Sequence, residues 1–245
     1  MSSEALLGGG VAESLRAAGD LEHNEAGKPN FVYEFNPEVA DKWFNLGEIP
    51  RELSGGARVR LGRMGVHGDG SCAYHTLCVA LNHDDYVHQT DERQKQIAYQ
   101  FRCSFGDTLT PDKWKNIVRK SKAKATDIDN LQEALCDPKV WADETALRIV
   151  AEALDINLVF LDLEKNQVYC GMHHEDAVAN PRIMPRTIVI LWVSHSHFEP
   201  LVHIESVGPR VARVRAMLEP SKSELDARLV QALMSRYKTQ CKIRK

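Results

Sequence analysis

The sequence predicts an α+β domain of α/β/α layering, with a small, mostly antiparallel sheet packed by helices. Three observations carry this. Segments of helical period crowd the first half of the chain, ending at Leu154. Four short apolar runs rich in Val, Ile and Leu crowd residues 156–204. The third is bulk: 245 residues, 43% apolar and 27% charged, describe a chain able to bury a sizeable core.

Each element follows from local chemistry. Residues 1–30, rich in Gly, Ala and Glu, are expected to form a mobile extension with at most a short helix near 11–18. "NPEVADKWF" opens a helix, with Asn36 as cap and Pro37 in the first helical position. "ARVRLGRM" at 57–64 alternates like a strand. Helices are predicted over 72–82, 91–103, 111–121, 128–136 and 143–154, the third announced by Thr110 and Pro111. Strands are predicted over 156–163, 167–172, 187–193 and 198–204. Two helices are expected to follow, the second opened by Ser221 and Glu224 as a capping box. The domain thus spans 31–205, between the N-terminal extension and a basic helical extension over 206–245. No repeat interrupts it.

Charge is unevenly spread. Residues 206–245 hold ten Lys and Arg against three acids, a net +7, which leaves −10 on residues 1–205 of a chain whose total is −3. An acidic body prefers a basic protein partner. No apolar run approaches the roughly 20 residues a membrane helix needs. "MSSEALLGGGVAESL" lacks a basic leader, so no signal peptide is expected. Six scattered cysteines (72, 78, 103, 136, 170 and 241) then read as reduced thiols of a cytoplasmic or nuclear protein. Cys170 beside His173 and His174 looks like a metal cluster but lacks a second ligand pair at zinc spacing, so no metal is expected.

The informative stretch is "HGDGSCAYHTL" at 67–77. Cys72 follows Asp69, Gly70 and Ser71, and Ala73, Leu77, Ala80 and Leu81 recur behind it on one helix face. With Ser71 as N-cap, Cys72 lies in the first helical turn, where free N–H groups and the helix dipole favour a thiolate. A nucleophile suits that place, and so does any small buried residue. A cysteine nucleophile needs a base, usually His, oriented by a third polar group. "LWVSHSHFEPLVHI" places His195, His197 and Glu199 two apart, on one face of a regular strand. Periodicity does not choose between the two histidines. A carboxylate at 199 touching the ring would favour its protonated form.

Together, "DGSC" before a helix, "HFEPL" near the domain's end and "WADETALRIVAEALDINLVFLDL" at 141–163 resemble the ovarian tumour (OTU) family of cysteine deubiquitinases. The resemblance runs from about residue 59 to 204, with its three motifs in family order. It implies a papain-like fold, Cys72 as nucleophile and His197 as general base. Asp69 corresponds to the acid that shapes the cysteine loop, and the backbone of Asp69, Gly70, Ser71 and Cys72 would supply oxyanion donors. Glu199 stands where the family more often carries Asp or Asn, and "CAYH" replaces larger apolar residues, Tyr74 filling that space with its ring.

The implied reaction is hydrolysis after the C-terminal Gly-Gly of ubiquitin or a ubiquitin-like modifier, by a monomer with no cofactor. The acidic body suits the basic surface and tail of ubiquitin. Compact viral members of the family act in the host cytoplasm, and the single-domain layout suits that role too. Two other readings are a catalytically silent ubiquitin-binding scaffold and nucleic-acid binding through the basic C-terminus. The first is disfavoured by the presence of nucleophile, base and loop acid. The second is disfavoured because "KTQCKIRK" has only Tyr237 as an aromatic nearby.

Overall fold

The computed structural model describes residues 5–7, 26–54, 59–108, 110–112, 115, 128–171, 186–194, 196–206 and 212–243. The strands are β1 (Ala5–Leu7), β2 (Val32–Glu34), β3 (Leu61–Met64), β4 (Asn157–Asp162), β5 (Gln167–Gly171), β6 (Thr187–Val193), β7 (His197–Ser206), β8 (Ala212–Arg215) and β9 (Met217–Leu218). The helices are α1 (Pro37–Phe44), α2 (Cys72–Leu81), α3 (Asp91–Thr108), α4 (Ile128–Cys136), α5 (Glu144–Leu154) and α6 (Glu224–Ile243). The expected helices over 11–18 and most of 111–121, with His173, His174 and His195, lie outside the described residues.

The α+β architecture is observed, but the sheet is larger than the small one expected. Its strands run β1-β8-β7-β6-β4-β5, with β3 also on β7, β2 on β3 and β9 on β6. Among the described residues, β4 with β6 is the parallel pair and all other pairs are antiparallel. Strand β7 is the spine. Its residues 197–200 pair with β6, 201–203 with β3 and 203–206 with β8.

Alternation along the strands builds one core on each face. Leu158, Ile188, Ile190, Val202 and Ile204 join Tyr74, Leu77, Ile97, Phe101 and Val150 of the α2, α3 and α5 side. Val159, Leu161, Val189, Leu191 and Leu201 join Trp43 and Phe44 of α1 and Leu229, Val230 and Leu233 of α6. Helix α1 starts as expected, with the Asn36 side chain accepting from the Glu38 N–H at 2.9 Å.

Three expectations fail in physical terms. Residues 1–30 are not wholly a mobile extension, because Ala5–Leu7 pairs with β8 and Gly27 and Asn30 bond to Glu199 and Gly65. Residues 206–245 are not a helical extension: "ARVR" and "ML" form strands of the main sheet, and one helix, α6, closes a core layer. Its start is capped by Ser223, which accepts from the Asp226 N–H at 3.2 Å, rather than by Ser221. The cysteines are also not all reduced thiols. Cys103 and Cys136 face each other from α3 and α4 and form a disulfide, while Cys72 and Cys78 are free.

Candidate active site

Helix α2 opens at the half-buried Cys72, and the helix that follows is buried on nearly all sides because almost every side chain is apolar or internally bonded. Ser71 holds the N-cap position but makes no side-chain cap bond. The loop is shaped by Asp69 instead, whose Oδ1 accepts the Ser71 N–H at 3.0 Å. Ser71 is therefore withdrawn from the expected oxyanion donors. Of the four expected donors, the N–H groups of Asp69, Gly70 and Cys72 are left. Gly70 has φ +84°, and a Cβ there would run into the Pro138 carbonyl oxygen. Only glycine enters that turn without strain.

Behind the loop lies a buried polar relay. His75 Nε2 stands 3.0 Å from both oxygens of Asp69, and its Nδ1 is 2.5 Å from the Tyr86 hydroxyl. One tautomer satisfies both contacts: Tyr86 donates to Nδ1 and Nε2–H donates to Asp69. Gln94 joins this layer, bonding His67 at 2.9 Å and the Tyr86 carbonyl at 2.9 Å. Burial works against an ionised Asp69, but the His75 bond and the Ser71 N–H hold its carboxyl below the usual range. Arg102, 1% exposed, grips the other side of the loop. It donates to the carbonyls of Gly70 and Ala134, each at 3.2 Å, and to those of Leu135 and Val140. Tyr74 fills the core beneath Cys72, as expected for its ring, with the Arg102 guanidinium 5.1 Å from the ring centroid.

His197 and Glu199 do share a face of β7. His197 is 5% exposed and Glu199 fully buried, with His197 Nε2 3.5 Å from Glu199 Oε1. Glu199 has stronger partners. Its Oε2 accepts from Arg63 Nη1 at 2.7 Å and its Oε1 from the Gly27 N–H at 2.5 Å. Arg63 stands opposite Leu201 in the β3–β7 register, so its side chain falls on the Glu199 face. Sequence reading missed Arg63, Gly27, Arg102 and the part played by His75. Alternation in "ARVRLGRM" does place Arg63 on the inward face with Leu61, which was a usable signal.

The charge states differ from expectation. Burial pushes the Cys72 thiol up, against the N–H groups of Phe198 and Ala73 that face the sulfur. His197 was expected to be raised by Glu199, but it is pushed down to about 4. Burial is the chief cause, followed by the positive charge of Arg63. Both shifts favour the neutral pair, thiol and imidazole, over the charged one.

Cys72 and His197 line one cleft of about 290 Å³ with Gly68, Gly70, Phe198 and the exposed Trp141. Nε2 faces Glu199, and the Nδ1–Cε1 edge of His197 lies beside Gly68 on the cleft side, 3.8 Å from where a Cβ there would sit. The site therefore offers a sulfur nucleophile, an imidazole and a polar anchor behind it.

The chain is similar to OTU domains of solved structure. One, an ovarian tumour (OTU) domain in complex with ubiquitin, shares 14% identity over 74% of this chain and 89% of that one, with a TM-score of 0.45. The OTUD1 OTU domain shares 17% over 67% and 92%, with a TM-score of 0.43. The Hazara virus OTU bound to ubiquitin shares 14% over 60% and 83%, with a TM-score of 0.38. No protein-family model matches the chain, and no curated protein matches it in sequence. TM-scores this low carry no argument, so the functional reading rests on the residues of the cleft.

Proposed function

We propose that this chain is an OTU-type cysteine isopeptidase that hydrolyses the bond after the C-terminal Gly-Gly of ubiquitin. The observation that carries the reading is the meeting in one cleft of Cys72, at a helix start, and His197, with Glu199 behind its ring. The order of the "DGSC", "WADETA" and "HFEPL" motifs supports it.

In this reading the Cys72 sulfur attacks the glycine carbonyl as His197 takes the thiol proton at Nδ1. The oxyanion is received by backbone N–H groups of the loop, those of Asp69, Gly70 and Cys72 being the ones left for it. His197 then gives the proton to the departing lysine amine, leaving a thioester. A water, deprotonated by His197, cleaves the thioester and frees the ubiquitin carboxylate and the thiol. Because the imidazole is neutral at rest, thiol activation accompanies attack instead of preceding it. No metal or cofactor takes part. The substrates in this reading are ubiquitin chains or ubiquitin-like modifiers, cleaved by a monomer.

The test is a panel of di-ubiquitins of every linkage plus ubiquitin-like substrates, read on gels. Cleavage of at least one substrate by wild type, abolished in Cys72→Ala, is expected. A wild type inert on the whole panel, yet binding ubiquitin, would favour the silent scaffold.

A further inference from the structure

Glu199 lies wholly inside the protein, and its two oxygens are committed to groups from distant parts of the chain. Oε2 is held by Arg63, itself 4% exposed, at 2.7 Å. Oε1 is held by the Gly27 N–H at 2.5 Å. That N–H comes from a strap just ahead of β2. Asn30 N–H donates to the Gly65 carbonyl and Gly65 N–H to the Phe31 carbonyl, each at 2.9 Å. The strap crosses so closely that a Cβ on Gly65 would strike the Lys28 carbonyl oxygen, and one on Gly27 would lie 3.1 Å from Glu199 Oε1. Ala26, the next residue back, lines the cleft. Meanwhile His197 Nε2 is buried and makes no hydrogen bond among the described residues, although Oε1 stands 3.5 Å away.

We infer that Arg63 and the Gly27 N–H are positioning groups for the reaction: they pin the Glu199 carboxylate just short of His197, aimed at the Nε2–H of the tautomer whose Nδ1 takes the thiol proton, a donor that strengthens when the ring becomes charged. The inference rests on the reading of Cys72 and His197 as nucleophile and base. At 3.5 Å the acceptor makes no full hydrogen bond to the resting ring, and a small approach closes a charge-assisted bond once the imidazolium forms. Interactions stronger in the transition state than in the ground state are those that raise kcat. Arg63 serves a second purpose. Burial raises the Glu199 carboxyl above its ordinary range, and the guanidinium and the Gly27 N–H pull the other way, opposing the proton that would cancel its acceptor charge. Gly27 is required because the strap must bring its backbone, not a side chain, against the carboxylate.

The test is a double-mutant cycle on the full chain. Arg63→Met and Gly27→Pro, the latter lacking the N–H, are each made alone and on Glu199→Gln. Two readouts are taken: kcat and KM for ubiquitin cleavage, and the rate of Cys72 alkylation by iodoacetamide across pH, which needs no ubiquitin. Each single variant is expected to lower kcat about tenfold with KM unchanged. On the Glu199→Gln background the same changes should cost less than twofold, because they act through the carboxylate. Gly27→Pro removes the N–H but also drives a Cβ toward Tyr33 Cε2 and Glu199 Oε1, so Gly27→Ala, which adds the Cβ and keeps the N–H, is its control, and this arm carries the cycle if Arg63→Met alone fails to fold. Full additivity on Glu199→Gln, or unchanged kcat in Gly27→Pro, overturns the inference. If the cycle holds in alkylation while no ubiquitin substrate is cleaved, the pinning stands and the ubiquitin reading falls.

Discussion

His75 Nε2 sits 3.0 Å from both carboxylate oxygens of Asp69, one helical turn behind Cys72. The loop acid therefore faces back into the protein. It ties the turn to the helix that the nucleophile begins, and its other bond goes to the Ser71 N–H. Asp69 acts on the reaction through the shape of the loop.

Breaking that tie should misplace the nucleophile. His75→Ala strands the Tyr86 hydroxyl and one face of Asp69, a loss of about 1–3 kcal/mol of stability. It should also lower kcat more than it raises KM. His75→Gln keeps a donor near the Nε2 position and should recover part of the rate. Unfolding curves and steady-state kinetics read both effects, and a His75→Ala enzyme with full kcat would remove the relay from the account.

The glycine of the loop offers a sharper perturbation. Gly70→Ala must place a Cβ against the Pro138 carbonyl oxygen from a backbone with φ +84°. A strain of about 1–3 kcal/mol is expected. The 137–141 turn that carries Trp141 and the oxyanion donors should move together, so kcat falls and the cleft's fit changes. Thermal melting checks the strain and kinetics check the loop. A Gly70→Ala protein with wild-type melting and rate would show that the turn has room the structure denies it.

The neutral resting imidazole fixes a pH dependence. His197 is held down to about 4, against an ordinary value of 6.5, first by burial and then by Arg63 and His75. The unfolded chain therefore binds the extra proton more readily between those values. The ring's contribution to stability is complete above about pH 6.5 and is lost as pH falls toward 4. The acid limb of kcat/KM should accordingly lie well below 6.5, with Tm dropping across the same window. An acid limb at or above 6.5 would mean that the imidazole is charged in the resting site.

Much of this site was legible in the sequence, and the missing part has a common cause. Cys72 at a helix start and His197 with Glu199 on one strand face follow from local periodicity. Arg63 and Gly27 do not, because 136 and 172 residues separate them from the carboxylate they hold. Only the β3–β7 register and the strap bring them together. The Cys103–Cys136 disulfide was hidden likewise, since spacing does not report that α3 and α4 lie side by side. The C-terminal helix was misjudged by its charge. Leu225, Leu229, Val230, Leu233 and Met234 recur at helical spacing and bury a face under the basic surface. His75 was discounted because side chains one turn apart point along the helix. It reaches not Cys72 but the loop before it.

Everything proposed for the cleft depends on Cys72 being its nucleophile. Ubiquitin carrying a C-terminal electrophile, incubated with the full chain and mapped by mass spectrometry, tests it most directly. The account predicts a single covalent adduct on Cys72, lost in Cys72→Ala and strongly slowed in His197→Ala. Labelling at the buried Cys78, or an adduct that survives Cys72→Ala, would contradict it.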